Sequence, residues 1–248
     1  MSLAPLHMSV PASDGLILKG TLTYPAGAAG RSYPLAVLAH QYPSTRDSYA
    51  PLVADLLGAG VATLAFDQRG HGDSIRSPRG PVVVDTPEGV TMDAFGTAFV
   101  SSVSKAGFQR IENDVVRVTG WGVSQNFVDG GRLALVGASV GGSGVLLAAP
   151  SLPGVRAVAT LGAAGALAFG PDGPDRIRAA IERATGIRFW LASSREDPFE
   201  GAASAEVWSR GLDHARVRLV TGGAHAMAIY FMVRDELVGF LREALGVH

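Results

Sequence analysis

The chain has 248 residues, of which 47% are hydrophobic and 17% charged, with a formal net charge of −1. That balance offers no electrostatic footing for nucleic acid or an anionic membrane, and the length is enough to bury one sizeable core. The absence of cysteine excludes disulfides, thiolate metal sites and a cysteine nucleophile.

The first residues lack a basic segment followed by an apolar one, and no run of about 18 apolar residues occurs. The expectation is therefore a cytoplasmic protein with neither a signal peptide nor a membrane span. His7–Val10 and Leu16–Tyr24 predict two strands joined by a turn at Ala12–Gly15, with the alternation of an antiparallel edge hairpin. A Gly/Ala loop is expected over Pro25–Ser32. Leu35–Ala39 predicts a short strand buried on both faces and ending at His40, with a helix over about Arg46–Gly58.

His40-Gln41-Tyr42-Pro43-Ser44 thus falls after a strand and before a helix, at the carboxyl edge of a sheet. The His40 side chain reads as a packed, hydrogen-bonded loop histidine. Val61–Phe66 predicts the next strand, followed by the loop Asp67-Gln68-Arg69-Gly70-His71-Gly72-Asp73-Ser74, in which Asp67 and Arg69 are expected to pair and brace the turn. Residues 75–108 exceed what a compact strand–helix unit needs. They read as an insertion or partial lid, with a β-like Val82–Val84 and a helix near Met92–Val103. Phe95, Phe99 and Phe108 suit either an apolar substrate pocket or the main core.

Gln109–Gln125 has helical spacing of Ile111, Val115, Val118 and Trp121, and Asn126–Gly131 reads as a turn. Arg132–Ala149 then combines an apolar run, Leu133–Val136, with Gly137-Ala138-Ser139-Val140-Gly141-Gly142 and a second apolar run. This is a strand, a sharp turn and a helix, with one serine at the tip. The spacing Gly-x-Ser-x-Gly suits a nucleophile elbow, because the residues two before and two after the serine must lack bulk where strand and helix nearly touch. In a chain with 32 glycines the bare pattern is weak, and its context carries the reading.

Further strands are predicted at Val155–Leu161, Ile187–Ala192 and Val217–Val220, and helices at Pro174–Thr185, Phe199–Leu212 and Ala226–Leu245. The result is an α/β protein with a mostly parallel eight-stranded sheet, an N-terminal antiparallel hairpin and helices on both faces, as a single domain over residues 1–248. Ligands of such a sheet sit at the strands' carboxyl ends. Ser139, Asp197 and His225 fall there in that order. A serine hydroxyl needs a base near pKa 7, and an imidazole base needs a carboxylate to fix its tautomer. His71 is the rival base and Glu196 the rival acid. An oxyanion would be held by the Val140 N–H and by the backbone N–H of either Gln41 or Tyr42.

His40-Gln41-Tyr42, Asp67-x-Arg69-Gly70-x-Gly72-x-Ser74, Gly137-Ala138-Ser139-Val140-Gly141-Gly142, Glu196-Asp197-Pro198 and Gly223-Ala224-His225 together resemble the α/β-hydrolase superfamily over nearly the whole chain. The resemblance is to the small serine-esterase and dienelactone-hydrolase-like branch without a large cap. It implies an α/β-hydrolase fold with Ser139, Asp197 and His225 as a catalytic triad. The family usually has glycine directly after the histidine of the oxyanion loop, where Gln41 stands here. Dienelactone hydrolases proper use a cysteine nucleophile, so that activity is not implied.

The expected function is hydrolysis of carboxylic esters with small to medium acyl groups through an acyl-enzyme. The expected partner is a small-molecule ester, with no nucleic acid, membrane, cofactor or metal involved. Thioesters, lactones and amides or peptides are alternative substrates. A lyase or perhydrolase, or a non-catalytic binding protein on the same scaffold, stands further off.

Overall fold

In the computed structural model, residues 5–25 and 32–247 are described. Most of the Pro25–Ser32 loop, residues 26–31, lies outside them, as does His248. The strands are β1 (Leu6–Pro11), β2 (Ile17–Thr23), β3 (Tyr33–Ala39), β4 (Ala62–Phe66), β5 (Arg76–Ser77), β6 (Gly80–Pro81), β7 (Val128–Ala138), β8 (Val155–Leu161), β9 (Arg188–Ser194) and β10 (Ala215–Val220). The helices are α1 (Ala50–Gly58), α2 (Met92–Ala106), α3 (Ile111–Val123), α4 (Val140–Ala148), α5 (Gly173–Arg183), α6 (Gly201–Ser209) and α7 (Met227–Leu245).

The eight long strands run in the order β1-β2-β4-β3-β7-β8-β9-β10, with the two-residue ribbon β5–β6 attached to β2. From β4 through β10 every pairing is parallel, whereas β2 runs antiparallel to both β1 and β4. All five residues of β4 and six of seven in β3 are buried. This is why they read as continuous apolar runs: both faces are covered.

The two-residue period sorts their side chains. Leu35, Val37, Leu133 and Leu135 enter one core, and Ala36, Leu38, Ala134 and Val136 enter the other. The second core is closed by apolar residues of α1 and α7, such as Leu52, Leu56, Tyr230, Leu237 and Leu241. On the first face α4 is buried along its whole length, which explains its lack of a polar side.

Several predicted details change. Val82–Val84 forms no strand, and β5–β6 pairs just before it. Its Val82 and Val84 N–H groups bond instead to the Ile75 and Gly70 carbonyls. The expected turn at Asn126–Gly131 already contains the start of β7. The helix expected from Phe199 starts at Gly201, because Glu200 takes a left-handed conformation (φ 59°) that a helix cannot continue through.

Candidate active site

β7 stops because Ser139 turns to φ 51°, ψ −124°, a costly conformation for a residue with a β-carbon. The surroundings enforce it. The Ser139 N–H donates to the Leu161 carbonyl at 3.1 Å, and its own carbonyl accepts from Ser143 and Ala164 N–H at 3.2 Å each. A β-carbon at Gly137 would lie 2.5 Å from the Gly141 carbonyl oxygen, and one at Gly141 would collide with the Ala39 and His40 carbonyls. These two glycines therefore let the elbow close on itself and let the end of β3 press against it. Ser139 also sits at the N-terminus of α4, whose first N–H groups have no intrahelical partner.

Two strands away, Asp197 and His225 meet. The His225 Nδ1 lies 3.0 Å from Asp197 Oδ1 and 2.9 Å from Oδ2. The carboxylate is held from two more directions, by the Phe199 N–H at 2.9 Å and by the Ser193 hydroxyl at 3.1 Å. It is fully buried, while 17% of the His225 side chain remains exposed. Glu196, one residue away, is exposed.

Gly162 connects this pair to the elbow. It directly follows Leu161, which binds the Ser139 N–H, and a β-carbon added there would lie 2.9 Å from Asp197 Oδ2 and 3.0 Å from His225 Nδ1. Among the described residues no hydrogen bond reaches the Ser139 hydroxyl. The structure thus pairs Asp197 with His225 and sets both beside the elbow, without joining the serine to the ring.

Sequence reasoning passed over Phe199 and Ser193. The Phe199 ring lies 4.4 Å from the His225 ring, centroid to centroid, and Ser193 steadies the acid. An aromatic two residues beyond the acid, and a serine four before it, were the available signals. Among the described residues, the three non-glycine residues with positive φ, Ser139, Glu200 and Ala226, each stand directly before a helix of this region.

At the other end of the rim His40 is completely buried, its Nδ1 2.7 Å from the Gln41 carbonyl and its Nε2 accepting from the Gln68 N–H at 2.9 Å. Burial pushes its pKa down to about 4, as befits a packed loop histidine. His71 is equally enclosed. Its Nδ1 faces the Arg69 carbonyl at 3.1 Å, and burial followed by the proximity of His40 lowers its pKa to about 3.

Asp67 and Arg69 do not pair with each other. Asp67 binds the Arg46 guanidinium and the N–H groups of Arg46 and Asp73. The fully buried Arg69 grips Asp114 with two bonds, of 2.7 and 3.0 Å, and reaches Asp14 at 3.1 Å and the Ala106 carbonyl at 2.9 Å. Each charge is taken up by another segment, Asp67 by Arg46 just ahead of α1 and Arg69 by Asp114 on α3. Among the described residues, neither the Gln41 nor the Tyr42 N–H, nor that of Val140, donates to another group.

Residues 75–108 bring α2 over this end of the sheet. Phe108 is fully buried in the core, so of the three phenylalanines it belongs to the packing. Phe95 and Phe99 are half-buried: Phe95 lies 4.9 Å from Phe199 and 5.5 Å from Tyr42, and Phe99 lies 5.4 Å from Tyr42. Among the described residues no cluster of three or more His, Asp or Glu is placed to hold a metal ion, and no helix is long and apolar enough to cross a membrane.

A model of the alpha/beta hydrolase family matches residues 29–242. An Escherichia coli protein described as an uncharacterized 31.7 kDa protein in the traX-finO intergenic region is 30% identical over 138 residues, which are 55% of this chain and 38% of that protein. The match thus spans well under half of that relative. Among solved structures, an acetyl xylan esterase from Paenibacillus sp. R4 superposes with a TM-score of 0.68 at 18% identity, over 98% of this chain and 84% of the other. A dienelactone hydrolase from Anabaena variabilis superposes with a TM-score of 0.64 at 20% identity, over 96% of each chain. At these identities the structural likeness speaks for the fold.

Proposed function

The chain belongs to the alpha/beta hydrolase family, and on that premise we propose that it is a serine hydrolase of carboxylic esters with small to medium acyl groups. The observation that carries this reading is the Asp197–His225 pair, closed at 2.9 and 3.0 Å beside a serine held in a strained elbow. The esterase and dienelactone hydrolase among the structural neighbours support the same class by analogy.

The Ser139 hydroxyl attacks the ester carbonyl while His225 Nε2 takes its proton. Asp197 keeps the other ring nitrogen protonated and steadies the imidazolium that forms. The carbonyl oxygen, now negative, is received by the Val140 N–H and by that of Gln41 or Tyr42, groups that no internal bond occupies. His225 returns the proton to the departing alcohol, and the acyl-enzyme is released by water through the same steps. No cofactor or metal enters any of them. Phe95 and Phe99, with Phe199, wall the apolar side of the site, and α2 serves as a partial lid.

Labelling with a fluorophosphonate probe and assay of a chain-length series of p-nitrophenyl esters test the reading, with thioester, lactone and amide substrates alongside. The expected result is labelling and turnover that are both lost in Ser139→Ala. A folded wild-type protein that neither labels nor turns over any of these substrates overturns it.

A further inference from the structure

The loop after β3 supplies the second oxyanion donor on the reading above, and such a donor works only when held within a few tenths of an ångström of its place. What holds this loop is visible in its own side chain. The Tyr42 ring is buried, and its hydroxyl donates to the Asp85 carbonyl at 2.5 Å. Every other polar group of Asp85 is tied to α2. Its N–H donates to the Ser102 hydroxyl at 2.8 Å, and its carboxylate accepts from the Ser101 hydroxyl at 2.5 Å and the Lys105 ammonium at 2.7 Å. The Lys105 and Ser101 bonds hold this carboxylate below the usual range. Phe95, Phe99 and Phe108 meet the Tyr42 ring edge-on, with centroids 5.5, 5.4 and 6.1 Å away.

We propose that the Tyr42 hydroxyl and Asp85 form a latch through which α2 sets the position of the oxyanion loop. Tyr42 is then a positioning residue through its side chain, whichever of Gln41 or Tyr42 donates the backbone N–H. Residues 75–108 act as a brace on the catalytic geometry in addition to walling the pocket. The inference rests on the serine-hydrolase reading.

The test is Tyr42→Phe, which keeps the ring and its packing and deletes the one bond. Expected are a fall in kcat of about tenfold on short p-nitrophenyl esters with KM within about twofold, after normalisation by active-site titration. A trifluoromethyl ketone, whose serine adduct carries the oxyanion, should lose affinity by the same factor, while the pH dependence of kcat/KM stays as in wild type. A kcat within twofold of wild type, a change confined to KM, or an unchanged ketone affinity overturns the latch. Should Tyr42→Phe not fold, Ser101→Ala with Lys105→Met cuts the exposed side of the bracket. About a threefold loss in kcat and ketone affinity is then expected, and unchanged values overturn the proposal. An inert, unlabelled wild type overturns the hydrolase reading itself, whereas an active wild type with an equally active Tyr42→Phe overturns the latch alone.

Discussion

At the β3–β4 end of the rim, His40 and His71 point their Nδ1 atoms at backbone carbonyls and are sealed from water. At the β9–β10 end, His225 points its Nδ1 at a buried carboxylate and keeps part of its ring exposed. The residue type is the same, yet the partners and the access to water differ. Burial in a core favours the neutral ring, an effect the carbonyl partner offsets only in part, and leaves it too weak a base for work near pH 7. A carboxylate partner stabilises the imidazolium, and exposure lets the other nitrogen meet a substrate. Position at a strand's carboxyl end therefore nominates a histidine, and its partner assigns its work.

Substitution at the two ends should separate them sharply. His225→Ala is expected to lower kcat on p-nitrophenyl acetate by about 10³-fold or more, and His71→Asn by less than tenfold. The reverse pattern would move the base to His71. Asp197→Asn should likewise cost about 10³- to 10⁴-fold in kcat in the same assay, because the asparagine amide leaves the ring in the wrong tautomer.

Other changes should strike stability and spare the chemistry. Arg69→Met strands the buried Asp114 carboxylate and should cost about 3 kcal/mol in urea unfolding, with the specific activity of the folded fraction retained. Acid should weaken the His40–His71 end. Both native pKa values lie below the unfolded value near 6.5, so the unfolded chain binds more protons as pH falls. The stability is complete above pH 6.5 and drains away toward pH 4 to 3. The loss at pH 5 relative to pH 7 should be on the order of 2 kcal/mol per histidine, with roughly half of it removed in His71→Asn. Urea titrations across that range would show a flat profile if the two rings were in fact solvated. The smallest effect expected is that of Glu196→Gln, with kcat within about twofold of wild type, since its side chain is exposed and Asp197 holds the ring.

Chain order and periodicity carried most of the fold. The apolar runs that became β3, β4 and β7, the 3.6-residue spacing of α3, and the succession Ser139, Asp197, His225 at strand ends could all be read residue by residue. Each depends on interactions within about a dozen positions, such as local backbone geometry and one buried face. The pairing of Asp197 with His225 was also within reach, because neighbouring parallel strands bring their ends together.

Tertiary structure alone decided the partners. Arg69 chose Asp114 and Asp14 over Asp67 two residues away, and Phe108 entered the core while Phe95 and Phe99 stayed half-buried at its edge, Phe95 beside Phe199. Ser193 came to flank Asp197 and Phe199 to flank His225, and Tyr42 found the Asp85 carbonyl 43 positions along. Burial and charge pairing are set by which distant segments pack against each other. No local pattern in the chain records which of several equally apolar or equally charged neighbours will arrive.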